Sequence, residues 1–302
     1  MAEIPFIYTD NFSYGKAERQ SRLVTRVTAD NPGPFTYTGT GVYIIGTKDV
    51  AIIDPGPITP AHTMALDNAL TGKTLTHILL THHHGDHSPM ATPLAKKYGC
   101  KIYGCPPTDT ATDGADVKLD AGDDLTFAPD IIIKDGDVFT GTGWTLRTVH
   151  TPGHTSNHMC FALVEENTLF SGDHIMGWAT SVVIPPGGHM GDYLASLRKV
   201  ERQNYGIIRP THGAAITEVA PFVQAYIAHR LEREEQVLSA LKDGHETIMD
   251  IVTHIYADID KRLYPAAAMS VWSHLIHLCE NERAGCAGNM TLSGHYKPFY
   301  QI

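Results

Sequence analysis

The sequence predicts an α/β fold of stacked sheets with helical layers outside, followed by a smaller helical unit. Over residues 1–216, short apolar strand-like runs alternate with helical stretches. From residue 217 the apolar spacing becomes helical, and the chain closes on a glycine-rich tail.

The first unit begins with a β-branched segment over residues 21–29, broken by Asn31-Pro32-Gly33-Pro34. Apolar runs at 41–45 and 50–53 flank Gly46-Thr47-Lys48-Asp49, a pattern that suits a hairpin. A helix is expected near 61–70, followed by a buried strand at 76–80. A helix near 90–98 and a strand at 101–103 come next, and then a polar loop through 109–124. Further strands are expected near 131, 146–149, 159–164 and 168–171. In the second unit, Val219, Phe222, Val223, Tyr226, Ile227, Leu231, Leu238 and Leu241 recur at steps of three and four, and Gly244 ends that helix. Helices near 247–257 and 265–279 follow, and residues 284–296 suit a small hairpin. The expected division is therefore 1–216 and 217–302.

Composition narrows the function. The 302 residues are 42% hydrophobic and 19% charged, enough for a sizeable core. No apolar stretch reaches the roughly 18 to 20 residues of a membrane span. Met1-Ala2-Glu3-Ile4-Pro5 lacks the basic flank and apolar run of a signal peptide, so a cytoplasmic address and no membrane partner are expected. Five scattered cysteines without close pair spacing suggest neither a disulfide framework nor a thiolate metal site. Lys plus Arg number 23 against 33 Asp plus Glu, a net charge of −10. From residue 217 onward the balance is seven basic against eleven acidic residues, which disfavours duplex nucleic acid as a partner. A small-molecule substrate is expected instead.

The chemistry sits in Thr81-His82-His83-His84-Gly85-Asp86-His87, at the end of the apolar strand. Imidazole nitrogens and a carboxylate are the donors zinc prefers, and alternation along an extended segment sends His82 and His84 to one side. The Gly85 turn can carry Asp86 and His87 to a second point nearby. Three more donors stand at turns rich in glycine or proline: His154 in Thr151-Pro152-Gly153-His154-Thr155, Asp173 in Ser171-Gly172-Asp173-His174, and His212 in Pro210-Thr211-His212-Gly213.

This order of an HxHxDH element followed by separate His, Asp and His elements resembles the metallo-β-lactamase superfamily. The resemblance implies an αββα sandwich. It also implies that His82, His84 and His154 hold one metal, that Asp86, His87 and His212 hold a second, and that Asp173 bridges the two. Asp54, in Ile53-Asp54-Pro55-Gly56, matches the family's first motif and would orient a ligand histidine. Segments 31–40, 151–159 and 226–238 look like the branch typified by the mitochondrial endoribonuclease of this fold and its bacterial relatives. In that branch a winged-helix-like domain follows the core. Two elements depart from it: Thr211-His212-Gly213 stands where Gly-His-Gly is usual, and residues 178–193 do not match the nuclease pattern.

The expected activity is a two-metal hydrolase, most simply with zinc. A hydroxide shared by the metals would attack an ester, thioester or lactone-type acyl bond, and Asp86 would orient the nucleophile and carry its proton. The alternative is an endoribonuclease or phosphodiesterase, which the branch likeness favours. A binding-only role predicts missing donors, and all seven are present. An iron oxidoreductase on the same donors and β-lactam turnover are further alternatives, the latter without the cysteine of one lactamase class.

His158 and His174 adjoin donor turns and are expected either to support the ligands from behind or to touch substrate, and His189, in a glycine-rich loop, is expected either to reach a substrate or simply to be exposed. His83 is expected to face away from the donors or to line the rim of the site. His62, His77, His229, His254, His274 and His277 read as packing or surface residues.

Overall fold

The computed structural model describes residues 3–106 and 122–299. Most of the polar loop expected at 109–124 lies outside the described residues. The first sheet runs in chain order: β1 (Ala17–Arg19), β2 (Val24–Thr28), β3 (Gly41–Ile45), β4 (Asp49–Ile53), β5 (Thr74–Leu79), β6 (Lys101–Gly104) and β7 (Ile131–Ile132). The strands from β1 to β4 pair antiparallel, and those from β4 to β7 pair parallel. The second sheet is built from β8 (Val138–Gly141), β9 (Trp144–His150), β10 (Met159–Leu163), β11 (Thr168–Gly172) and β12 (Ile207–Pro210), in spatial order 12-11-10-9-8.

Strand alternation explains why the sheets stack. Tyr43, Ile45, Ala51 and Ile53 point inward and meet Trp144, Leu146, Phe161 and Phe170 of the second sheet in one buried cluster. Their neighbours Val42, Ile44, Val50 and Ile52 point outward and pack under α1 (Pro60–Leu70) and α2 (Ala91–Tyr98). Thr59 caps α1 by accepting the His62 N–H, with Pro60 in the first turn. On the far side, α3 (Met190–Gln203) lays Tyr193, Leu194, Leu197 and Val200 against Val149, Cys160 and Leu169. The result is an αββα sandwich.

The chain then enters α4 (Val219–Lys242), which belongs to two cores. Its Val219, Phe222, Val223 and Tyr226 complete the layer under the second sheet, whereas Val237, Leu238 and Leu241 pack with α5 (Ile248–Ile255) and α6 (Tyr264–Glu280). A two-stranded hairpin of β13 (Ala284–Cys286) and β14 (Tyr296–Pro298) finishes this helical unit as its wing. The expected division at 216 therefore precedes a helix that both units share. Its apolar period runs through without a break, so spacing alone places no boundary inside it. Among the described residues no helix is long and apolar enough to cross a membrane, and all five cysteines are free thiols.

Candidate metal centre

Five chain segments leave the sheets at one edge of the sandwich. Asp54 follows β4, the histidine run follows β5, His154 lies between β9 and β10, Asp173 follows β11, and His212 follows β12. Backbone conformation aims several of these groups. Gly172 has φ +53°, and a Cβ there would lie 2.7 Å from His158 Nε2; Gly153 has φ +138°, and a Cβ would lie 2.3 Å from Tyr193 Cα. Each glycine allows a close approach that places the following donor.

The seven expected donors converge. His82, His84 and His154 form one set of mutually close donor atoms, and Asp86, His87 and His212 form another. Asp173 joins His82 and His87 in a third, with the atoms of each set within 4.8 Å of one another. The carboxylate of Asp173 faces both ways: Oδ1 is 3.4 Å from His212 Nε2 and 3.5 Å from His87 Nε2, and Oδ2 is 3.9 Å from His154 Nε2.

Protein partners occupy the outer nitrogen of four of the rings. His154 Nδ1 donates to the Val182 carbonyl at 2.6 Å, and His212 Nδ1 to the Gly39 carbonyl at 3.1 Å. His87 Nδ1 donates to Asp54 Oδ2 at 3.0 Å. The Thr81 hydroxyl gives its hydrogen to Asp54 at 2.7 Å, so at 2.9 Å it accepts from His82 Nδ1. Each ring thereby turns its Nε2 toward the centre, the arrangement that outer partners of metal-bound histidines produce. His82 Nε2, His87 Nε2, His212 Nε2 and Asp173 Oδ1 are buried without a hydrogen-bond partner. Orphaned buried polar atoms are costly, and hard or borderline divalent cations bind such nitrogen and oxygen donors, so the residues present fit a metal pair.

The electrostatics agree. Burial opposes protonation of His212, but Asp173 and Asp86 outweigh it and raise the ring to about 10. His87 is likewise raised, against burial, by Asp86, Asp173 and Asp54. Burial would raise Asp86, yet His87 and His212 hold it down at about 2. The field that retains protons on these rings is one that attracts cations. On the other side His82 is driven well below its usual value, first by burial and then by its histidine neighbours.

His83 stands apart from the three donor sets, as expected, although it is buried: Nδ1 faces Asn157 Oδ1 at 3.1 Å and Nε2 lies 3.0 Å from Asp123. Asp123 also comes within 3.5 Å of His84 Nε2. The sequence offered no sign of this neighbour, which falls at the end of the expected polar loop.

A cavity of about 200 Å³ opens over the donors. Pro34, Phe35, Met176, Trp178 and Val182 form much of its wall, with His84, Asp86, His154 and Asp173 at its floor. Of the residues expected as possible substrate contacts, His158, His174 and His189 do not line this cavity. His158 is fully buried beneath the site, where Nδ1 meets Thr151 Oγ1 at 2.9 Å and Nε2 accepts the Asp173 N–H at 3.3 Å. His174 is also fully buried, packed edge-on to Tyr193, and burial followed by the nearby His154 lowers it to about 3. His189 caps α3 by accepting the Asp192 N–H and pairs with Glu280 of α6 at 2.8 Å. Of the other histidines read as packing or surface, His62 and His274 are buried and His254 is exposed.

Residues 37–212 match the model of the metallo-beta-lactamase superfamily, and residues 247–288 match the beta-lactamase associated winged helix domain. A Caenorhabditis elegans beta-lactamase-like protein 2 homolog is 33% identical over 87% of this chain and 86% of its own length. An atrochrysone carboxyl ACP thioesterase from Cryptosporiopsis is 36% identical over 74% of this chain. The match spans only 65% of that relative, just under two thirds of its length. Among solved structures, a beta-lactamase domain protein from Burkholderia ambifaria superposes with a TM-score of 0.81 over 98% of this chain and 97% of its own, at 19% identity. By the match to its sandwich and by these relatives, the chain belongs to the metallo-beta-lactamase superfamily and carries that superfamily's associated winged helix domain.

Proposed function

We propose that this protein is a two-metal acyl hydrolase that cleaves a thioester or ester of a small molecule, with zinc as the metal. The observation that carries the reading is the placement of seven buried nitrogen and oxygen donors at the floor of a largely apolar cleft. His82, His84 and His154 would hold one ion, and Asp86, His87 and His212 the other, with Asp173 between them. When bound, such a pair supplies Lewis-acid polarisation and a water acidic enough to react near neutral pH. Phe35, Met176, Trp178 and Val182 receive the acyl chain and keep bulk water from it. Asp86, held ionised on the cleft floor, orients the attacking water and accepts its proton. It returns that proton to the departing sulfur or oxygen, so that water and thioester become acid and thiol. Asp54 fixes His87 and the end of the histidine strand.

The thioesterase names among the relatives support acyl rather than phosphoryl transfer. The likeness to the nuclease branch favours phosphodiester cleavage instead. Against it, the described residues lining the main cleft include no Lys or Arg to neutralise a polyanion. A side-by-side screen decides the matter: metal-loaded protein is offered p-nitrophenyl esters, pantetheine thioesters, lactones, bis-p-nitrophenyl phosphate and single-stranded RNA. Turnover of acyl compounds is expected. Phosphodiester turnover with acyl compounds untouched reverses the reading.

A further inference from the structure

A second cavity, of about 140 Å³, adjoins the metal cleft and shares Phe35, Thr180 and Val182 with it. Its far wall comes from the C-terminal unit, through Arg230 of α4 and Ala266 and Ser270 of α6. The Arg230 side chain decides what this space can hold. The residue is only 5% exposed, and its guanidinium donates through Nη2 to the Ser181 carbonyl. It also lies over the Tyr193 ring at 5.3 Å. These two contacts fix its plane. Its Nε has no hydrogen-bond partner, and among the described residues no carboxylate forms an ion pair with it.

A buried cation left without a counter-charge is expensive, because the field of one carbonyl dipole does not replace lost hydration. The cost is offset when an anion enters the cavity and meets the fork of guanidinium donors. Thr180, Ser181 and Ser270 line the same space, whereas the main cleft is walled largely by apolar side chains. The pair of cavities is therefore apolar near the reacting carbonyl and cationic beyond it.

We infer that Arg230 anchors an oxyanion group carried by the substrate away from the scissile bond, in a subsite closed by the C-terminal unit. The inference rests on the acyl hydrolase reading for its reaction, but the binding it describes stands apart from turnover. The oxyanion is a carboxylate at the far end of the acyl chain or a phosphate on the thiol arm. In either case the winged helix unit serves substrate selection, with α4 and α6 supplying the wall that the sandwich lacks.

The test uses three thioesters and their non-hydrolysable thioether analogues: hexanoyl pantetheine, which is neutral; the half-thioester of adipic acid with pantetheine, charged on the acyl side; and hexanoyl phosphopantetheine, charged on the thiol side. Calorimetry with the thioethers on the metal-loaded protein should show one anionic analogue binding about tenfold or more tightly than the neutral one. Arg230→Met should remove that preference and leave neutral binding unchanged, and Arg230→Lys should retain part of it. Which charged analogue gains identifies the source of the anion. Equal affinity for all three analogues in the unaltered protein overturns the proposal. So does a preference that survives Arg230→Met; should that variant fail to fold, an undiminished preference in Arg230→Lys overturns it equally. If none of the thioesters is hydrolysed, the acyl hydrolase reading fails while the thioether series still decides the subsite.

Discussion

Asp54 and His87 are joined by a hydrogen bond of 3.0 Å between two side chains that are both fully buried. The same carboxylate accepts the Thr81 N–H at 2.8 Å and the Thr81 hydroxyl at 2.7 Å, tying the end of β4 to the start of the histidine run. Asp54 adopts φ +49°, a left-handed conformation that aspartate tolerates better than most residues. Asp54→Asn is expected to weaken metal binding by roughly 10- to 100-fold, because the ring it orients loses its charged acceptor. Competition against a chelator of known affinity checks this, and unchanged metal retention would remove Asp54 from the account.

Gly153 precedes His154 and runs against the backbone of Tyr193, leaving no room for a Cβ. Gly153→Ala should cost about 2–4 kcal/mol in denaturant unfolding, since neither the backbone conformation nor the space admits a methyl group. Gly99, at φ +69° with nothing within 4 Å of a built Cβ, provides the control. Gly99→Ala should cost only about 1 kcal/mol. Equal losses in the two variants would show that the Tyr193 contact carries no energy.

Trp178 stacks on Tyr37 with ring centroids 4.8 Å apart and forms part of the cleft wall. Trp178→Ala is expected to raise KM for a hexanoyl thioester about tenfold, as apolar contact with the acyl chain is lost, with metal content unchanged. Loss of metal in this variant would instead make Trp178 a support of the centre.

Glu234 ties α4 to α6. Its carboxylate meets His277 Nδ1 at 2.6 Å and Arg283 at 3.3 Å, with His274 Nδ1 at 3.6 Å. Burial raises its pKa, but hydrogen bonding and charge from His274 and His277 outweigh burial and hold it at about 2, against an ordinary 4.5. A depressed folded value stabilises the fold above the unfolded value, and that contribution is lost as pH falls from about 4.5 towards 2. Roughly 3 kcal/mol is at stake by this linkage. Glu234→Gln should therefore be less stable at neutral pH and show a flatter stability profile across that acid window. Urea titrations at several pH values measure the slope, and parallel profiles for the two proteins would contradict the assignment.

Much of this was legible in the sequence because it is local. The apolar run before His82 specifies a buried strand, the alternation in β3 and β4 specifies two covered faces, and glycine or proline beside His154, Asp173 and His212 marks the turns that deliver donors. Long-range partners were not legible. His189 reads as an exposed loop residue, but its ring is engaged by Glu280, 91 residues away. His174 adjoins Asp173 yet points into the packing around Tyr193, since adjacent residues at a turn face different ways. Helix α3 is legible in the same way, for Tyr193, Leu194, Leu197 and Val200 keep a helical spacing. Arg230 reads as one more charge on an amphipathic helix, because only tertiary packing places it against a cavity of the neighbouring unit.

The most direct test joins metal content to turnover in one pair of proteins. The unaltered protein should hold about two divalent ions per chain, lose acyl hydrolysis on chelation and regain it on reloading. His84→Ala should lose metal and hydrolysis together while remaining folded. Sustained turnover by His84→Ala, or by the chelated protein, would contradict the account at its centre.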